Sequence, residues 1–215
     1  MLLTKIPVAA ATAPRHARSF FEPTDDDLDL YRDISFRLKA QPPSSLFRYL
    51  QPEGRHLMQL GDEEPGVWAC LLRRVEQRWP CLPSRGRVAS DGTLLNSALE
   101  RIAYEAVKPV VPRDVALDLE IALDPLQQPR FYSDFAIRYG SRVMHIEIVG
   151  ACGADRVTRN DWEAHLLAQF DRRLEVYRQQ RLTPEIWYLN DLLEPAQLQK
   201  RFLALVAQLR SGGRS

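Results

Sequence analysis

The chain has 215 residues, 45% hydrophobic and 27% charged, which is globular composition and excludes a wholly disordered or fibrous chain. Lys plus Arg number 29 against 28 Asp plus Glu, a net charge of +1, so any nucleic-acid or membrane-surface partner must meet a local patch and not a bulk positive excess. No stretch approaches the roughly 20 apolar residues of a spanning helix, and Lys5 and Pro7 interrupt what would be the apolar part of a signal peptide, so a cytoplasmic protein with no membrane association is expected. Cys70, Cys81 and Cys152 lack the CxxC spacing of a zinc knuckle or redox motif. They read as buried thiols in a reducing compartment.

Residues 1–90 are punctuated by Pro14, Pro23, Pro42, Pro43, Pro52, Pro65, Pro80 and Pro83, which limits regular elements to short segments and predicts an irregular, mainly helical region. Thr24 followed by Asp25, Asp26 and Asp27 has the chemistry of a helix start, a hydroxyl cap with first-turn carboxylates. Gly66 to Trp79 places Val67, Cys70, Leu71, Val75 and Trp79 at helical spacing. Arg73, Arg74, Arg78, Arg85 and Arg87 cluster in sequence, and they are either a solvated helix face running into a loop or a nucleic-acid phosphate patch.

Residues 91–215 are more regular. Asn96 or Ser97 can cap a helix whose Leu99, Ile102, Ala103 and Ala106 form an apolar stripe, closed by Pro109 and Pro112. Three strands are predicted at Val115–Leu123, Phe131–Arg138 and Arg142–Val149, the last two as a hairpin around Tyr139, Gly140 and Ser141. Thr158–Gln180 follows as a long helix with Trp162, Leu166, Phe170, Leu174 and Tyr177 on one face, then a short strand at Glu185–Leu189 and a helix at Glu194–Leu209. A long crossover helix between the third and fourth strands implies an α/β fold with a mixed sheet flanked by helices.

Alternation puts Tyr132, Asp134 and Ala136 on one face of their strand, and His145, Glu147 and Val149 on one face of the next. If the strands pair, Asp134 and Glu147 project toward one site. A carboxylate flanked by Ile146 and Ile148 is costly to bury alone, so it calls for a metal, a cationic partner or a shifted pKa. Glu100 on the preceding helix can add a third oxygen donor, a set suited to a hard ion such as Mg²⁺. Alternatively, arginines at the sheet edge merely pair with these acids.

In these segments the sequence resembles the restriction-endonuclease-like, or PD-(D/E)XK, nuclease superfamily, whose core runs helix, three strands, helix, strand. NSALERIAYEA is similar to the acidic first helix, YSDFAI to the PD-type strand and HIEIVG to the E-X-K strand, nearest to very-short-patch-repair-like and DUF559-like proteins. The resemblance covers about residues 91–190. It implies that Glu100, Asp134 and Glu147, with the main-chain carbonyl of Ile148, hold Mg²⁺ or Mn²⁺, and that the chain is a DNA endonuclease of a mobile-element, repair or defence system, able to act with a partner protein or as a homodimer. Two positions depart from the pattern: Ser133 replaces the Pro, and Val149 stands where a Lys is usual. Either another cation (Arg159, Arg173 or Lys108) reaches the site, or the fold serves as a DNA-binding or assembly subunit without catalysis.

His145 shares a face with Glu147 and is either a general base or metal ligand, or a packed, hydrogen-bonded histidine. His165 is expected to be half-buried. Asp171, Arg172 and Arg173 resemble the D…R pattern on the helix after the Glu strand, or form a solvated face with local ion pairs. No GxxxxGK[ST] or GxGxxG is present.

Overall fold

Antiparallel hairpins and one parallel crossover make a four-stranded mixed sheet at the centre of the computed structural model, which describes residues 23–50, 66–123 and 131–212. The N-terminal region supplies α1 (Asp25–Leu38), α2 (Ser44–Leu50) and α3 (Val67–Arg78). Then come α4 (Ala98–Val107) with a 3₁₀ turn at Lys108–Val110, and strands β1 (Ala116–Ala122), β2 (Tyr132–Tyr139) and β3 (Arg142–Val149). The chain continues through α5 (Asp161–Gln179), β4 (Glu185–Tyr188), the single turn α6 (Leu189–Leu192) and α7 (Pro195–Ser211). The predicted strands fall within one residue of these at every end. The predicted elements omit α2 and α6.

Local chemistry accounts for the boundaries. Thr24 caps α1 with Asp27 returning a bond to the Thr24 N–H, so two orphan amides are satisfied reciprocally. Ser97, not Asn96, caps α4 and accepts the Glu100 N–H at 3.1 Å. Gly140 turns the β2–β3 hairpin at φ 58°, a left-handed angle that glycine adopts without a Cβ penalty. Asn160 caps α5.

Strand order is β1-β2-β3-β4, antiparallel except for the β3–β4 pair, which α5 connects as a crossover. One face, with Phe135, Ile137 and Ile146, packs with Ile102 of α4 and with Phe202 and Val206 of α7. The other face meets α5: Val149 lies with Phe170, Leu166 and Leu174, and Leu123 with Val176 and Tyr177. Buried side chains of α1 to α3, among them Tyr31, Phe47 and Leu71, join the first of these clusters, so residues on both sides of position 90 share one core. Trp162, expected on the buried stripe of α5, is 61% exposed; it lies in the first turn, and the apolar contacts of α5 with the sheet begin at Leu166. His165 is also exposed, bonded to Gln169. Of the three cysteines only Cys152 is buried; Cys70 is intermediate and Cys81 exposed. Among the described residues no helix is long and apolar enough to cross a membrane.

Candidate active site

Paired register between β2 and β3 ends at Phe135↔Ile146, and just beyond it the two acids stand at the point where the strands part. Asp134 Oδ2 accepts the main-chain N–H of Ile148 at 2.7 Å. Glu147 is fully buried and faces α5, where Arg173 donates to its Oε2 at 2.6 Å and the Tyr177 hydroxyl to its Oε1 at 2.6 Å. The same guanidinium nitrogen lies 3.5 Å from Asp134 Oδ1. Two strands and one helix therefore meet at a single cation. Arg173 and Tyr177 are four residues apart, hence neighbours on one face of α5.

Charge balance at this point is uneven. Burial, reinforced by the nearby Asp134 carboxylate, pushes Glu147 up to about 7 despite Arg173 and Tyr177. Burial also raises Asp134, opposed by the Ile148 N–H and Arg173. Burial works against the charge of Arg173, but the carboxylates of Glu147 and Asp134 outweigh it and raise its pKa. The site is thus richer in carboxylates than in cations, a condition that favours uptake of a further positive charge. Glu100 is raised by burial and by Asp134, so it feels the pair electrostatically. Its own Oε2 is taken by the Asn96 N–H at 3.1 Å.

Among the described residues no group of three or more His, Cys, Asp or Glu side chains is placed to hold a metal together. The three-carboxylate arrangement expected from the sequence thus reduces to two acids that already share one cation, with Glu100 beside them. Two carboxylates are a fitting donor set for Mg²⁺ or Mn²⁺, which commonly keep waters and substrate phosphate oxygens as their remaining ligands.

Of the candidate cations, Arg173 reaches the site. Arg159 does not: it precedes α5 and donates to the main-chain carbonyls of Arg48 and Tyr49, with its guanidinium over the Tyr49 ring. Lys108 sits over the Tyr104 ring. Val149 is 2% exposed within the apolar cluster on α5, so its position serves packing. His145 Nδ1 is engaged with Ser133 Oγ at 3.1 Å and its ring meets the Tyr177 ring edge-on. Burial lowers its pKa, which keeps it neutral near pH 7. Both contacts suit the packed, hydrogen-bonded alternative. Ser133 reaching His145 breaks the strict alternation read from the sequence; on β1, Glu120 has φ 54° and is missing from the β1–β2 pairs, between Leu119↔Phe135 and Ile121↔Ser133. Asp171 pairs with Arg156 at 2.6 Å, and Arg172 reaches the Ala168 carbonyl, so neither joins the site.

Four of the five arginines of the N-terminal cluster are engaged by neighbouring acceptors. Arg78 pairs with Asp25 at 2.8 Å, Arg85 with Glu76 at 2.6 Å, Arg74 donates to the Pro23 carbonyl at 2.6 Å and Arg87 to the Asn96 carbonyl at 3.3 Å. Arg73 is exposed. These contacts favour the solvated-face reading over an open phosphate patch.

Beside Asp134 and Arg173 a cleft of about 270 Å³ opens, lined also by Asn96, Glu120, Phe131, Tyr132 and Ser133. Tyr177, Asn96 and Glu120 had no place in the sequence-derived site. Only Tyr177 carried a signal there, a hydroxyl on an otherwise apolar stripe that needs a partner when buried. No protein family, curated protein or solved structure matches the chain.

Proposed function

We propose that the chain is a metal-dependent nuclease on a restriction-endonuclease-like core, hydrolysing phosphodiester bonds of DNA. The observation that carries this reading is the meeting of Asp134 and Glu147, from adjacent strands, on the Arg173 guanidinium at the wall of an open cleft. The order α4, β1, β2, β3, α5, β4 with its antiparallel and parallel pairings supports it, being the order the resemblance implies.

Asp134 and Glu147 would hold Mg²⁺ or Mn²⁺, which supplies a Lewis acid for a phosphoryl oxygen and neutralises charge developing in the transition state. Tyr177 fixes the Glu147 carboxylate by holding Oε1, leaving Oε2 turned toward Arg173. The Ile148 N–H does the same for Asp134. Arg173 takes the part of the absent lysine by charge: a guanidinium binds phosphate oxygens through paired N–H groups and stabilises the negative charge of a pentavalent phosphorus. It does not shuttle protons, since the Glu147 and Asp134 carboxylates raise its pKa further above the ordinary guanidinium value.

A second reading, a binding or assembly subunit without catalysis, is favoured by the complete burial of Glu147 with both oxygens engaged. Incubation of circular DNA, duplex and single-stranded, with Mn²⁺ or Mg²⁺ separates the two. Cleavage by the wild type that an Asp134→Ala/Glu147→Ala variant lacks supports the nuclease. Absent cleavage, or cleavage equal in both, overturns it in favour of the binding subunit.

A further inference from the structure

We infer that the cleft beside Arg173 is a subsite for one unstacked nucleobase bearing an exocyclic amino group, which makes the preferred substrate a single-stranded or locally opened nucleic acid. This deepens the nuclease reading and rests on it for the place of the phosphate.

The cleft's size and its lining both point this way. At about 270 Å³ it falls just below the roughly 300–1,000 Å³ of sites that enclose drug-sized ligands, room for one flat group and not for a stacked pair. Tyr132 lines it and is 42% exposed, a large aromatic left facing solvent next to the acids. An exposed ring beside a phosphate-binding cation is a stacking platform, and it accepts any base because every base has a π-face.

Specificity comes from the polar lining. Glu120 is a non-glycine residue at φ 54° within β1, unpaired between Leu119↔Phe135 and Ile121↔Ser133. Such backbone strain persists only where the surroundings hold it, often at functional sites. Here it leaves Glu120 exposed at the cleft, accepting from the Asn96 carboxamide. Glu120 and Asp134 are both carboxylates, so a phosphate entering the cleft is steered to its one lining cation, Arg173. What remains beside Glu120 and Asn96 is a place for a neutral group that donates hydrogen bonds. The amino groups of cytosine and adenine donate to such acceptors, whereas thymine presents a carbonyl at the equivalent position. In an intact duplex that edge is turned inward and the base is stacked, so a base must leave the helix before it can enter.

The test is fluorescence anisotropy in EDTA with short labelled oligonucleotides, which reads binding without chemistry. A strand of alternating deoxycytidine and deoxyadenosine should bind more tightly than its own duplex and more tightly than oligothymidine. Tyr132→Ala should weaken binding of that strand roughly tenfold while Tyr132→Phe retains it. Glu120→Gln should narrow the gap between that strand and oligothymidine. Tyr132 is the exposed first residue of β2, so its truncation leaves the core intact, and the Phe variant controls for folding. Equal affinity for strand and duplex, or wild-type affinity in Tyr132→Ala, overturns the inference. Strand preference without cleavage in Mn²⁺ rejects the nuclease and keeps the base subsite; cleavage without strand preference does the reverse.

Discussion

Arg78 and Arg173 carry the same charge and each meets a carboxylate at under 3 Å, yet they occupy opposite physical situations. Arg78 and its partner Asp25 are 45% and 72% exposed, so water and salt screen their attraction. Arg173 is 33% exposed, and its partner Glu147 is wholly buried beside a second acid. What separates a surface pair from a candidate catalytic centre is therefore burial of the acids and their excess over cations. Five arginines clustered within fifteen residues of sequence settle on the surface; a single arginine on α5 defines the site.

The largest expected difference between the two regions lies in their pH dependence. Glu147 titrates at about 7 in the folded protein against an ordinary 4.5, so the folded state holds the proton more tightly than the unfolded chain. Stability from this group is full below 4.5 and is lost as pH rises to about 7, by on the order of 3 kcal/mol. Urea denaturation in EDTA should show that fall in the wild type relative to Glu147→Gln. A pH-independent difference between the two proteins would break the comparison.

Next in size is the loss of the cation. Arg173→Met leaves Asp134 and Glu147 facing each other uncompensated, and near pH 7 it should cost about 2 kcal/mol, less than a fully buried pair because the guanidinium is partly solvated. Tyr177→Phe strips the donor from Glu147 Oε1 and should cost about 1–2 kcal/mol by denaturant midpoint, with reduced cleavage. Arg78→Met should change stability by no more than about 0.5 kcal/mol. If Arg78→Met and Arg173→Met lose equal stability, burial is not the distinction.

Much of this fold could be read from local signals. Alternation over 115–123, 131–138 and 142–149, with Gly140 between the last two, sufficed for three strands and their hairpin. The seven-residue α2 and four-residue α6 escaped because one or two turns carry too little periodicity to register. Asp134 and Glu147 were legible as facing carboxylates, and Arg173 as one of several cations able to answer them. Choosing Arg173 over Arg159 needed the start of α5: twelve residues into that helix, Arg173 lies roughly 18 Å along its axis, which carries it over Glu147. Arg159 stays before the first turn beside Tyr49. The local irregularity that joins Ser133 to His145 and strains Glu120 was not legible, because one residue turned out of the ladder, with pairing resuming in the same register on either side, leaves no mark on hydrophobic periodicity.

Asp134 and Glu147 are proposed above as the ligands of a divalent cation. Calorimetric titration of the metal-free protein with Mn²⁺, compared with Asp134→Asn and Glu147→Gln, tests this assignment most directly. Saturable binding is expected in the wild type, abolished or weakened at least tenfold by either substitution. No saturable heat in the wild type, or binding that survives both substitutions unchanged, would contradict it.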